Sequence, residues 1–148
     1  MLNVIIFRTT KLIKNIVFYI CIMIIRSVKE INNTLREVMW GNGISKRFLI
    51  EEDGMGFSLT ETTVNAGSKS LLEYKHHLEA CYCIEGEGEI KLMNGDVHKL
   101  IPGTMYAPNK HDKHFLIAKT NMRLICVFSP ALKGTEKHDL NKNNSSSY

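Results

Sequence analysis

From Phe48 to Phe128 the chain is cut into short apolar or alternating runs by turn residues, and this spacing constrains the fold more than any other feature. The runs cover residues 48–50, 56–64, 80–84, 87–93, 97–101, 114–118 and 123–128. Between them stand Asp53-Gly54, Asn65-Ala66-Gly67, Glu85-Gly86, Asn94-Gly95, Pro102-Gly103 and Pro108-Asn109. Runs this short, punctuated this way, predict an all-β barrel or sandwich of antiparallel strands. Asn94-Gly95, between Ile90-Lys91-Leu92 and Val97, is the clearest hairpin signal in the chain. Ahead of the strands, Val28, Ile31, Leu35 and Val38 recur at three- and four-residue steps, which predicts a short helix or turn region.

At 148 residues the chain holds one domain, large enough to bury a core without structural metal or disulfides. The net charge of +4 is small and scattered, and no aromatic side chains alternate with the basic ones. No nucleic-acid partner is therefore expected. The four cysteines, Cys21, Cys81, Cys83 and Cys126, lack the C-x-x-C spacing of zinc or dithiol sites, so a reduced, cytosolic chain is expected. Residues 16–25 (IVFYICIMII) follow Arg8, Lys11 and Lys14, the shape of a signal peptide, but about 10 apolar residues cannot span a bilayer that needs ~20. No small-residue cleavage site follows. The domain pattern begins just after Met23, which favours Met23 as the start and residues 1–22 as an extension; no membrane partner is expected. The polar stretch 140–148 is expected to be disordered, leaving 23–139 as the domain.

The residues able to do chemistry concentrate at 74–79. If the strand beginning near Ala80 extends back, His77 and Glu79 share a face that Cys81 and Cys83 continue inward. A carboxylate aimed into a small barrel is costly unless it is paired or bound to metal, and the nearby imidazole makes metal the economical reading. A Glu85-Gly86-Glu87-Gly88 turn follows, then Pro102-Gly103-Thr104 and a second histidine cluster at His111 and His114. This order resembles the two-part pattern of cupins, in which ligands from two hairpins converge inside an antiparallel barrel.

The resemblance becomes specific in longer runs: DGMGFSL at 53–59, Glu61-Thr62-Thr63, Tyr74-Lys75, HLEA at 77–80, YCIEGEGE at 82–89, PGTMYA at 102–107 and KHDKH at 110–114. Arg123-Leu124, CVF at 126–128, Glu136 and His138-Asp139 continue it. Together these resemble the ectoine synthase family from Met23 to about Asp139. The resemblance implies a homodimeric hydro-lyase of osmoprotectant (compatible-solute) biosynthesis. Its small-molecule substrate would be N-γ-acetyl-L-2,4-diaminobutyrate, closed to ectoine with loss of water. It implies Fe(II), with Mn(II) or Zn(II) as substitutes, held by Glu79, Tyr106 and His114, and Tyr74 and His77 as proton-transfer residues. The substrate pocket it implies is lined by Arg47, Thr62, Tyr74, His77, Cys126, Phe128, Glu136 and His138. Arg47 suits the substrate carboxylate, and Glu136 the ammonium group or the ring nitrogens. The family's tryptophan four residues before the matching arginine falls at Gly43 here, while the only tryptophan is Trp40. Either Trp40 reaches the pocket by a shifted loop or the pocket is more open and its substrate range relaxed, with ring hydrolysis among the alternatives. A non-catalytic small-molecule-binding cupin remains the reading from another class.

Overall fold

The computed structural model describes residues 23–138 and 140; the expected extension at 1–22 and positions 139 and 141–148 lie outside them. The helix is short: α1 spans Val28–Ile31. Its start is set by a capping box, in which the Ser27 amide donates to the Glu30 carboxylate at 2.6 Å and the Glu30 amide to Ser27 Oγ at 3.4 Å. Asn32 and Asn33 end it, Asn33 with φ of 60°. The helical spacing read through Val38 is overridden there, because Glu37–Met39 (β1) pairs with Ile44–Leu49 (β2), and Leu35 is left exposed.

The remaining strands are β3 (Ser58–Val64), β4 (Lys69–Leu72), β5 (Leu78–Glu85), β6 (Gly88–Leu92), β7 (Val97–Leu100), β8 (Met105–Tyr106), β9 (His114–Ala118) and β10 (Met122–Ser129). They form two antiparallel sheets, β1-β2-β3-β10-β5-β8 and β4-β9-β6-β7, which face each other without closing into a continuous hydrogen-bonded ring. The expected all-β, cupin-type architecture is present. β6 and β7 make the hairpin read at Asn94-Gly95, with Lys91 opposite Val97. β4 and β8 were not expected, since neither carries a run of alternating residues long enough to read.

Register puts the chemistry on the inner face of the larger sheet. One row across it reads Tyr106, Cys81, Cys126, Thr60 and Arg47, each the cross-strand partner of the next. The flanking rows read Glu79, Phe128 and Ser58 on one side, and Cys83, Leu124, Thr62 and Ser45 on the other. Alternation then forces Leu78, Ala80, Tyr82 and Ile84 outward. On the smaller sheet Leu72, His114 and Leu92 form one row.

Two glycines are fixed by close approach. Gly86, at φ of 79°, turns β5 into β6 with Asn121 O only 2.1 Å from where a Cβ would stand. Gly43, in the β1–β2 connection, would place a Cβ 2.0 Å from Thr63 O.

Candidate functional site

A narrow cavity opens between the sheets. Trp40, Tyr74, Phe128 and His138 give it aromatic walls; Leu72, Leu116 and Leu124 close its apolar side; Glu79, Cys81, Cys126, Thr62, Ser45 and Tyr106 supply its polar groups. The aromatic rings meet edge to face: Tyr74 with Phe128 at 5.4 Å, Tyr74 with His138 at 5.3 Å, and Trp40 with His138 at 5.5 Å between centroids. Hydrogen bonds lock two of them, Trp40 Nε1 donating to Thr63 O at 2.9 Å and Tyr74 Oη lying 3.2 Å from His138 Nε2.

Glu79 is the electrostatic centre of the cavity. It is 5% exposed and its Oε2 has no hydrogen-bond partner. Burial pushes its carboxyl up to about 7, against the opposing effect of hydrogen bonds from Cys81 and Tyr74. Burial, with the nearby acidic groups of Cys81 and Glu79, also holds the Tyr106 phenol well above its ordinary value. His114 is buried; its Nδ1 lies 2.8 Å from Asp112 O, which leaves Nε2 as the buried nitrogen without a partner. Burial lowers its pKa, so the ring is neutral and able to act as a ligand. His114 lines a second cavity, of about 430 Å³, together with His98, Lys99 and Met105. Tyr106 borders both cavities and packs edge to face on His114 at 5.4 Å.

Glu79 Oε2 and His114 Nε2 are both buried and unpartnered, and each is of a type that binds a divalent cation, but they line different cavities with Tyr106 bordering both. Within the first cavity, Glu79 and the Cys81 and Cys126 thiols bring one ligand-type atom each to within 4.8 Å of one another.

Of the residues expected in the substrate pocket, Thr62, Tyr74, Cys126, Phe128 and His138 line the cavity. His77 does not. The chain bends at residues 75 and 76 and β5 starts only at Leu78, so strand alternation does not carry back to His77. Its Nδ1 instead lies 2.7 Å from Pro130 O. Arg47 and Glu136 are also outside the lining and meet each other, Arg47 Nη1 at 3.0 Å from Glu136 Oε2 and Nη2 donating to Glu136 O at 2.6 Å. Trp40 takes the place in the wall that Gly43 leaves empty, and the Thr63 carbonyl against Gly43 bars any side chain there. Cys81 was read as inward but not as part of the site. Its position two residues after Glu79 and opposite Cys126 was the available signal.

The sequence profile of the family described as ectoine synthase matches residues 23–146. The chain belongs to the ectoine synthase family. L-ectoine synthase of Oceanobacillus iheyensis is 51% identical over 118 residues, covering 79% of this chain and 92% of that one. The crystal structure of ectoine synthase from P. lautus superposes with a TM-score of 0.73 at 46% identity, covering 76% of this chain and 81% of that one. An RmlC-like cupin protein from Desulfovibrio desulfuricans, 19% identical, superposes with a TM-score of 0.52 over 72% of this chain and 97% of that one, and shares the cupin fold alone. Of the three residues expected to hold a metal, Glu79 and Tyr106 line the aromatic-walled cavity, and His114 lies on the far side of Tyr106 in the second cavity.

Proposed function

We propose that the chain catalyses closure of N-γ-acetyl-L-2,4-diaminobutyrate to ectoine with loss of water. The observation that carries this reading is the buried, unpartnered Glu79 carboxylate oxygen inside an aromatic cavity, in a member of the ectoine synthase family. Glu79, Tyr106 and His114 would hold a divalent cation. Two oxygens and one imidazole suit Fe(II) or Mn(II) and tolerate Zn(II). The chemistry such an ion supplies when bound is Lewis-acid polarisation of the acetyl carbonyl.

The chain's own residues do the rest. Trp40, Tyr74 and Phe128 confine the substrate in a folded shape, so the attack of its amine on its own acetyl carbon is intramolecular and near attack geometry. Leu72, Leu116 and Leu124 keep bulk water from that carbon. The oxygen that departs as water needs a proton. Tyr74 Oη, inside the cavity and hydrogen-bonded with His138, is placed to donate it and to recover a proton from the substrate nitrogen, which gives up its protons as the ring closes and water leaves. Burial, with the charge of Arg47, lowers the His138 pKa to about 3, so the ring stays neutral and holds Tyr74 Oη in place through their hydrogen bond. His77, outside the cavity lining, suits a role in holding the segment at Pro130 better than one in proton transfer. Thr62 and Ser45 hydroxyls offer polar contacts to substrate, and Arg47 holds the C-terminal segment through Glu136.

A homodimer is the assembly that fits the outer face of the larger sheet, where Leu78, Tyr82, Ile84, Met105 and Val127 lie exposed side by side. Among the described residues no helix is long and apolar enough to cross a membrane. A cytoplasmic compatible-solute enzyme is the role that suits the free cysteines of the core. The test is incubation of the Fe(II)-loaded protein with N-γ-acetyl-L-2,4-diaminobutyrate under proton NMR. Appearance of ectoine supports the reading, and a folded, iron-loaded protein that leaves the substrate intact overturns it.

A further inference from the structure

We propose that Cys81, Cys126 and Glu79 form a binding site for a thiophilic cation of the Zn(II) or Cd(II) class, competing with the hard-donor set for the same carboxylate. Cys81 and Cys126 are directly opposed on neighbouring antiparallel strands, and their sulfurs lie 2.9 Å apart. Both are free thiols, 1% and 2% exposed, and both line the cavity. The Glu79 carboxylate lies within 4.8 Å of both sulfurs, and its Oε2 is the buried oxygen that no donor satisfies. Cys83 faces the same way but is held off by its turn, with Glu85 O at 3.5 Å from its sulfur. It takes no part.

The donor chemistry separates this site from the one made with Tyr106 and His114. Two thiolates and one carboxylate select borderline and soft ions in tetrahedral geometry. One carboxylate and two O/N donors select harder ones. Bond lengths of about 2.3 Å to sulfur would set the two sulfurs roughly 3.8 Å apart. A side-chain rotation that opens the present contact by about 0.9 Å therefore suffices. Binding releases the two thiol protons, and the ion supplies the charge that the buried carboxylate lacks. A fourth position remains open to water. Because Glu79 belongs to both sets, an ion held by the two cysteines and one held with Tyr106 and His114 exclude each other. That exclusion rests on the proposed function; the thiol site does not.

The test uses full-length protein in a Cys21→Ser background, reduced with a phosphine, stripped of metal and titrated with Cd²⁺. X-ray absorption at the cadmium edge should count two sulfur scatterers per ion, and the ultraviolet sulfur-to-cadmium charge-transfer band should saturate at one ion per chain. Cys126→Ser and Cys81→Ser should each weaken binding at least tenfold and lower the sulfur count to one, while Cys83→Ser changes neither. A cadmium shell without sulfur in the protein carrying all three described cysteines, or a titration unchanged by Cys126→Ser, overturns the site. Both readouts are independent of turnover, so absence of ectoine synthesis would leave the sulfur count to stand or fall alone. Iron-loaded protein should release one Fe(II) per Cd²⁺ bound, and iron retained beside bound cadmium overturns the sharing of Glu79.

Discussion

The guanidinium of Arg47 and the carboxylate of Glu136 meet at 3.0 Å, and a second arginine nitrogen donates to the Glu136 carbonyl at 2.6 Å. The arginine side chain is wholly buried, so its charge has no recourse to water. Glu136 also accepts from the Lys133 and Gly134 amides, so the pair ties residues 133–136 to β2. Burial raises the Glu136 pKa, but those amides, its own backbone N–H and the arginine outweigh it and hold the carboxyl below its usual value.

Glu136→Ala should strand the guanidinium and cost about 3–5 kcal/mol of stability. Glu136→Gln, which still accepts hydrogen bonds, should cost less. Urea denaturation checks both, and an Ala variant as stable as the parent contradicts the role given to the pair.

Trp40 and Gly43 carry the second prediction. Gly43→Trp, which the sequence alone suggests would rebuild a missing wall, should instead prevent folding, because a Cβ there meets the Thr63 backbone oxygen at 2.0 Å. Trp40→Phe keeps an apolar wall and loses only the hydrogen bond to Thr63, at a cost of about 1 kcal/mol. Trp40→Ala should cost about 3–5 kcal/mol and raise KM. A soluble, folded Gly43→Trp protein would show that the loop at 40–43 is not packed as described.

The contrast between Glu79 and His77 shows what was legible in the sequence. Strand alternation carried Glu79, Cys81 and Cys83 to the inner face of β5 as expected, since side chains in a strand have little choice but period two. His77 lies outside the strand, and nothing local announced the bend at 75–76. Arg47 and Glu136 are 89 positions apart, and each was assigned a group of the substrate because their meeting is a tertiary event. Tyr106 lies in a two-residue strand too short to read; its role as a ligand rests on resemblance, and its place opposite Cys81 emerges only in the folded sheet.

Asp53 and His138 are two of the groups that respond to acid. Burial raises the Asp53 pKa, but Arg26 at 2.6 Å, Arg36 at 2.8 Å and the Ile50 amide outweigh it and hold the carboxyl well below the usual range. A depressed carboxyl contributes stability above its unfolded pKa of about 3.9, lost as pH falls toward its folded value. His138, lowered to about 3, disfavours protonation when folded, so its contribution fades between about 6.5 and 3 as pH falls. His138→Gln should flatten the melting temperature against pH in that upper window, and Asp53→Asn only below about 4. Identical profiles for both variants and the parent would contradict these assignments.

The exposed row of Tyr82 and Met105 on the outer face tests the assembly. Tyr82→Glu places a charge in the middle of that patch while leaving the inner face untouched. Sedimentation should show the parent as a dimer and the variant as a folded monomer; a monomeric parent at micromolar concentration contradicts the proposed interface.

The most direct measurement is the rate of ectoine formation by Fe(II)-loaded parent and Glu79→Gln proteins of matched circular dichroism. Ring closure by the parent, with at least a hundredfold loss in Glu79→Gln, is the result expected if Glu79 anchors the site. Turnover retained in Glu79→Gln, or none in the parent, would contradict the account.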